Sequence, residues 1–145
     1  MKTSFFEQYP TKHDLGAFLK SKPETAGTTV TQYISANLPK ESAFQTDIIK
    51  AVKLWTAERS ISPTSFLWKH NAGVYNSNGL PDLMLVCDGQ FFAFEVKRPY
   101  VGKLTFLQEK TIDNINNAGG HAAIVTYPSE VKAILKQSGV WRGAE

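Results

Sequence analysis

Apolar residues recur at steps of three and four between residues 41 and 58, where Phe44, Ile48 and Val52 would share one side of a helix. This spacing predicts a helix over 41–58, with Ser42 or a neighbouring residue as its N-terminal cap. The helix would bury this apolar side against the rest of the domain.

The pattern changes after this helix to short apolar runs separated by turn residues. Asp88-Gly89 lies between two such runs and is a strong signal for a tight β-hairpin, and Gly119-Gly120 ends a second helical pattern. The remaining predicted elements are strands at 65–70, 82–86, 91–97 and 121–127 and helices at 104–118 and 129–137. The sequence therefore predicts an α/β domain that begins in the order αβββαβ, with a central mixed β-sheet flanked by helices.

Residues 1–39 differ from this pattern because proline and glycine interrupt any long helix, which leaves short helical segments at 13–20 and 29–38. We interpret 1–39 as an N-terminal arm and 40–145 as the main domain. The arm either packs on the main domain or serves as a dimerisation or partner-binding element.

The composition limits the class of protein. A chain of 145 residues accommodates one compact domain, and a net charge of +3 with a pI near 9.0 permits a polyanionic partner. Cys87 is the only cysteine, which excludes an intramolecular disulfide and a Cys-rich zinc site. No apolar run approaches the roughly 18 residues of a membrane span, and the first residues do not resemble a signal peptide. We therefore expect a soluble, cytoplasmic protein with no membrane partner.

The predicted hairpin brings charged residues together. A two-residue turn at Asp88-Gly89 places Asp82 directly opposite Glu95, and Lys97 points to the same side as Glu95. Two opposed acids repel each other unless a cation lies between them, and Mg²⁺ accepts two carboxylates, a backbone carbonyl and water. Water bound to such an ion attacks phosphodiesters, and Lys97 would position or deprotonate it or stabilise the charge on phosphate.

An ordinary alternative is that Asp82, Glu95 and Lys97 form ion pairs on a solvated sheet face. The flanking residues argue against it, because 83–86 and 91–94 are almost entirely apolar and such strands are typical of the interior of a sheet. Charged residues at the end of buried strands need compensation. Metal-assisted phosphodiester hydrolysis is the more specific interpretation.

The run Gly79-Leu80-Pro81-Asp82, followed by Phe94-Glu95-Val96-Lys97, resembles the signature of the PD-(D/E)xK nucleases, which have a restriction-endonuclease-like core. More narrowly, residues 41–127 resemble the VRR-NUC family. The further matching features are Glu41 and Gln45 in an ExxxQ pattern, an Asn/Gly-rich loop before GLPDL, Gln108 at the start of the next helix, and Gly-Gly before the last strand.

The resemblance implies a restriction-endonuclease-like fold and a DNA endonuclease that depends on Mg²⁺ or Mn²⁺, without an organic cofactor. It also assigns roles to particular residues. Two of them have a simple structural explanation as an alternative: Glu41 would be a first-turn acid favoured by the helix dipole, and Gln108 a solvated residue at a helix start. The implied catalytic residues are Asp82, Glu95, Lys97, Glu41 and Gln108, and the implied metal ligands are Asp82, Glu95, the Val96 carbonyl and Glu41.

Further residues near this site are candidates for contact with DNA. Lys69 and His70 precede the glycine-rich loop, and the loop residues Tyr75 and Asn76 would stack on or wedge the DNA. The remaining candidates are the basic residues that flank the site, Arg98, Lys103 and Lys110, although such charges also occur on ordinary solvated surfaces.

Stand-alone nucleases that this chain resembles come from bacteria and phages and act as homodimers on branched DNA. We therefore expect a homodimer that cleaves junction-like DNA and is encoded by a phage or a bacterium. Two alternatives stay open: a sequence-specific endonuclease of the restriction or homing type, which would need residues 1–39 to read base edges, and a DNA-binding module that does not cleave.

Overall fold

The structure, a computed structural model, describes residues 5–21, 30–70 and 79–144. These residues form helices and strands in the order expected for the main domain, preceded by three short helices in the arm. The elements are α1 (Phe5–Gln8), α2 (Lys12–Ser21), α3 (Val30–Asn37), α4 (Glu41–Ala57), β1 (Phe66–Lys69), β2 (Leu83–Cys87), β3 (Gln90–Val96), α5 (Phe106–Asn117), β4 (His121–Val125) and α6 (Pro128–Gln137).

The four strands form one sheet in the order β1-β2-β3-β4. The pairs β1–β2 and β2–β3 are antiparallel, whereas β3 and β4 run parallel and are connected through α5. The prediction of a mixed α/β domain is therefore confirmed, and each predicted element is found within a few residues of its expected bounds.

The hairpin between β2 and β3 has the predicted turn. Asp88 and Gly89 both have positive φ angles, 50° and 75°, as a two-residue type I′ turn requires. The strands pair in register from Cys87 with Gln90 to Leu83 with Phe94. The next residues along this register are the acids that the sequence placed opposite each other.

The main core lies on one face of the sheet, where alternate side chains of β2 and β3 are fully buried. Helices α4 and α6 pack together and bury their apolar sides in the same cluster. The core residues of these elements include Phe44, Ile48, Val52, Leu83, Leu85, Phe92, Phe94, Val96, Val131 and Leu135.

Helix α5 packs against β3 and β4. Because strand side chains alternate, Glu95 points to the opposite face from its neighbours Phe94 and Val96, and it meets α5 there. The sheet thus separates the apolar core from a second face that carries a buried acid.

The arm packs on the main domain through aromatic rings. The Phe6 ring lies 5.1 Å from that of Phe44 and 6.3 Å from that of Tyr127, and Leu15 is only 2% exposed. For the residues that the structure describes, the expectation that the arm packs on the domain is confirmed. The boundary at residue 39 stays a prediction.

Helix α4 begins at Glu41, and the residue before it, Lys40, makes no capping hydrogen bond through its side chain. The prediction of a cap at or near Ser42 is therefore wrong: Ser42 lies inside the first turn, where its carbonyl accepts from the Thr46 hydroxyl. Within the described parts of the chain, no helix is long and apolar enough to cross a membrane.

Two phenylalanines in contrasting environments test this description of the core. Phe44→Ala removes a fully buried ring and is expected to lower the free energy of unfolding by about 3 to 5 kcal/mol. The control Phe66→Ala removes a ring that is 63% exposed and is expected to cost less than about 1 kcal/mol. Urea unfolding of both variants measures the difference, and equal losses would contradict the placement of the core.

Candidate active site

Four side chains from three separate parts of the chain meet at the C-terminal end of β3. The Lys97 Nζ lies 3.3 Å from Glu95 Oε1 and 3.8 Å from Glu41 Oε1, and the Gln108 Nε2 donates to the same Glu95 oxygen at 2.7 Å. The predicted hairpin placed Asp82, Glu95 and Lys97 together. The resemblance added Glu41 and Gln108, and the structure brings both of these side chains to the same group.

Asp82 lies in the bend just before β2 and is tied to both neighbouring strands. Its Oδ2 accepts from the Val96 N–H at 2.8 Å, and its carbonyl oxygen accepts from the His70 N–H at 2.8 Å. These bonds hold the Asp82 carboxylate at the end of β3, beside Glu95.

Glu95 is an acid in the protein interior. Its exposed fraction is 2%, and Oε1 receives both the Gln108 amide and the Lys97 ammonium. The other oxygen, Oε2, is buried and has no hydrogen-bond partner in the described structure. A buried carboxylate oxygen without a partner is costly, so this atom needs either a proton or a cation.

The surroundings of Glu95 raise the pKa of its carboxyl group from 4.5 to about 7. Burial is the main cause, and the negative charge of Asp82 adds to it, whereas the ammonium of Lys97 acts in the opposite direction. Glu95 therefore keeps its proton to near neutral pH unless another positive charge replaces it.

Glu41 is the first residue of α4, and its side chain is 41% exposed. Partial burial raises the pKa of its carboxyl group, the ammonium of Lys97 lowers it, and the charge of Asp82 raises it. Glu41 therefore belongs to the same electrostatic group as the other two acids. Gln45, its partner in the ExxxQ pattern, lies one turn later in α4 and is buried.

A capping box at the start of α5 fixes the orientation of Gln108. The Thr105 hydroxyl accepts from the Gln108 N–H at 3.2 Å, and the Gln108 Oε1 accepts from the Thr105 N–H at 3.0 Å. Because Oε1 is engaged in this way, the Nε2 of the same amide points to Glu95. Our sequence interpretation missed Thr105, although the letters TFLQ match the capping-box pattern.

Two glycines allow the chain to approach the site closely. A Cβ atom at Gly79 would lie 2.9 Å from the backbone of Leu107, so this glycine lets the GLPD loop pack against the start of α5. A Cβ atom at Gly102 would lie 2.7 Å from the Cβ of Lys97. Larger residues at either position would displace α5 or the catalytic lysine candidate.

The chemistry of the donors suits a hard divalent cation. Two adjacent carboxylates and a buried, unpartnered oxygen provide the oxygen ligands that Mg²⁺ and Mn²⁺ prefer. Within the described ranges, however, no group of three or more His, Cys, Asp or Glu side chains is arranged to hold a metal ion. An ion at Asp82 and Glu95 would therefore need water and a backbone carbonyl to complete its ligands.

The remaining candidates lie in different surroundings. Lys69, Lys103 and Lys110 have exposed side chains, and the His70 Nε2 is buried without a partner among the described residues. Arg98 was expected to contact DNA, but its guanidinium donates to backbone carbonyls of the arm. The loop candidates Tyr75 and Asn76 lie outside the described residues.

Comparison of the chain with family models, with curated proteins and with solved structures found no match. The resemblance to the VRR-NUC family therefore rests on the motif residues alone and stays a prediction. The grouping of Glu95 with Glu41, Lys97 and Gln108 is seen in the structure and does not depend on that resemblance.

The raised pKa of Glu95 predicts how stability depends on pH in the absence of divalent cations. Folded Glu95 keeps its proton up to about pH 7, whereas the unfolded residue loses it near 4.5. The folded state therefore binds more protons between these values, so the free energy of unfolding is expected to fall as pH rises through this window, by about 3 kcal/mol.

Urea unfolding between pH 4.5 and 8 in EDTA measures this dependence. Glu95→Gln should remove most of the decrease, whereas Glu109→Gln, which replaces an exposed acid on α5, should keep it. An equal pH dependence in the wild type and in Glu95→Gln would contradict the assignment.

Proposed function

We propose that this chain is a divalent-cation-dependent endonuclease that hydrolyses phosphodiester bonds in DNA. The observation that carries the proposal is the buried Glu95 carboxyl group, which lies beside Asp82, receives Lys97 and Gln108 on one oxygen, and has no partner on the other. This arrangement is costly for folding alone and useful for binding a cation.

Asp82 and Glu95 would hold the cation, with Glu41 and the Val96 carbonyl as further ligand candidates. A bound divalent cation supplies a water of lowered pKa and offsets negative charge on phosphate. Asp82 is already oriented by the Val96 N–H, and Glu95 by Gln108, so both carboxylates are held in place before a ligand arrives.

Lys97 would act on the phosphate in this proposal, and its surroundings support that role. Its side chain is 13% exposed, and its ammonium lies between Glu95 and Glu41 rather than in bulk solvent. Electrostatic interactions are strong in such a partly buried place. Lys97 would stabilise the charge that develops on the phosphate or orient the attacking water, while its ion pairs keep it directed at the site.

Gln108 would act by holding Glu95. Its amide donates to the carboxylate, and the capping box with Thr105 prevents the amide from turning over. The donated hydrogen bond favours the ionised form of Glu95, which is the form that binds a cation. Gln108 is thus a positioning residue in this proposal.

DNA is the substrate that the exposed basic residues flanking the site in sequence favour. Lys69, Lys103 and Lys110 present exposed ammonium groups that suit contact with phosphates, and the chain as a whole carries a net charge of +3. Branched DNA and a homodimer remain part of the proposal, because a single domain of this size offers little surface to hold a junction.

The proposal predicts cleavage that depends on Mg²⁺ or Mn²⁺. The purified protein should cut a four-way junction or a flap in preference to linear duplex, and EDTA should abolish the cut. Lys97→Ala is expected to lower the cleavage rate by about 10² to 10⁴. The control Lys53→Ala replaces an exposed lysine about 18 Å along α4 from Glu41 and should keep the wild-type rate.

Other results of the cleavage assay would favour one of the two alternative functions or refute the site. Cutting at one fixed sequence, whether or not the DNA is branched, would favour a restriction or homing type of endonuclease. Tight binding without cleavage under any metal condition would favour a non-cleaving DNA-binding module. Cleavage that persists in Lys97→Ala and in Asp82→Asn would refute the assignment of the site.

A further inference from the structure

The loop that follows Lys97 connects the candidate site to the N-terminal arm. Residues 97–102 turn tightly, with hydrogen bonds from the Val101 N–H to the Pro99 carbonyl and from the Gly102 N–H to the Arg98 carbonyl. Two side chains of this loop, Arg98 and Tyr100, reach the arm. Each makes its contact with the end of an arm helix.

Arg98 binds the C-terminal end of α3. Its Nη2 donates to the carbonyl oxygen of Ser35 at 2.7 Å and to that of Leu38 at 3.1 Å. The last carbonyls of a helix lack intrahelical donors and carry partial negative charge, so a guanidinium is a favourable partner for them. The Arg98 Nε is buried without a partner in the described structure. The group is therefore directed into the protein rather than towards a ligand in solvent.

Tyr100 binds the start of α2. Its hydroxyl donates to the Lys12 carbonyl at 2.9 Å, and the Lys12 ammonium lies 5.5 Å from the centre of its ring. Gly16 leaves room for this contact, because a Cβ atom there would lie 2.6 Å from the Tyr100 hydroxyl oxygen. Tyr100 also has a φ of 68°, which is uncommon for a residue other than glycine. These contacts hold the loop in that conformation.

The arm contact lies next to the site in sequence and in space. Helix α3 leads through Leu38 directly to Glu41, the first residue of α4. Lys97 contacts Glu41, and the adjacent Arg98 contacts Leu38, so two neighbouring residues hold both sides of the α3–α4 connection. The position of Glu41 relative to Lys97 therefore depends on where the end of α3 is held.

We propose that Arg98 is a positioning residue which, together with Tyr100, holds the N-terminal arm against the site and thereby places Glu41 against Lys97. The arm then contributes to the geometry of the site. The catalytic consequence rests on the proposed nuclease function, whereas the contact between loop and arm does not. The experiment is therefore designed in two parts.

The first part measures hydrogen–deuterium exchange and needs neither DNA nor metal. Arg98→Gln is expected to speed the exchange of amides in 35–40 and 97–102 by about threefold to tenfold, because the end of α3 loses its partner. Arg98→Lys, which keeps a cation with one contact point, should restore part of the protection. Tyr100→Phe should instead speed amide exchange at the start of α2, where the Tyr100 hydroxyl donates its hydrogen bond. Lys53→Gln replaces an exposed lysine and serves as the control, with exchange as in the wild type.

The second part separates positioning from contact with DNA. Binding is measured in EDTA as a function of salt, where loss of one phosphate contact lowers the slope of log K against log salt by about 1. Arg98→Gln should leave this slope unchanged. Lys103→Gln replaces an exposed lysine that is a candidate for contact with phosphate, and its slope is compared with that of Arg98→Gln. Under cleaving conditions Arg98→Gln should lower kcat about tenfold with little change in KM. That loss should disappear in a Glu41→Gln background.

Unchanged exchange in Arg98→Gln, or a salt slope reduced by about 1, would overturn the proposal. An equal fractional loss of kcat with and without Glu41→Gln would also overturn it, because Arg98 would then not act through Glu41. If no cleavage is found for any protein, the nuclease proposal fails, and the exchange result alone decides whether Arg98 holds the arm.

Discussion

The burial of the Glu95 carboxyl group beside Asp82 is the constraint on which the site depends. An acid that is 2% exposed loses nearly all contact with water, and a second acid next to it raises the cost further. Lys97 and Gln108 compensate one oxygen only. The protein thus retains an unfavourable arrangement at one end of an otherwise apolar sheet, which is typical of a functional site rather than of a structural one.

Several local features of the fold bring this pair of acids together and support it. The type I′ turn sets the register that brings β3 to Asp82, and the capping box of α5 directs Gln108 at Glu95. Gly79 and Gly102 permit the close approaches of the neighbouring loops. On the opposite face, apolar side chains of β2 and β3 are fully buried in the core. Rigid strands and helix ends are suited to hold charged groups within the narrow tolerances that catalysis requires.

The sequence was most informative where local chemistry decides the structure. Asp88-Gly89 specifies its own turn, and the turn specifies the register, so the proximity of Asp82 and Glu95 followed from a few residues. The place of Gln108 came from a resemblance, and its orientation required Thr105, whose capping pattern was present but not used. The cap of α4 was predicted wrongly because Ser42 lies inside the first turn.

Contacts between distant parts of the chain were beyond sequence reasoning. Arg98 looked like one more basic residue near the site, yet its partners Ser35 and Leu38 lie 63 and 60 residues earlier. No local sequence pattern predicts the contact of Arg98 with Ser35 and Leu38, because this contact depends on how the arm packs on the domain. The same holds for Tyr100 and Lys12, which are 88 residues apart.

Proton release on cation binding tests the central claim most directly. If Glu95 keeps its proton to near pH 7 and gives it up to bind a divalent cation, calorimetric titration with Mg²⁺ in buffers of different ionisation enthalpy should show release of about 0.5 proton per ion at pH 7. The release should approach zero at pH 9, where the carboxyl group is already ionised. Binding without pH-dependent proton release, or no binding at all, would contradict the account.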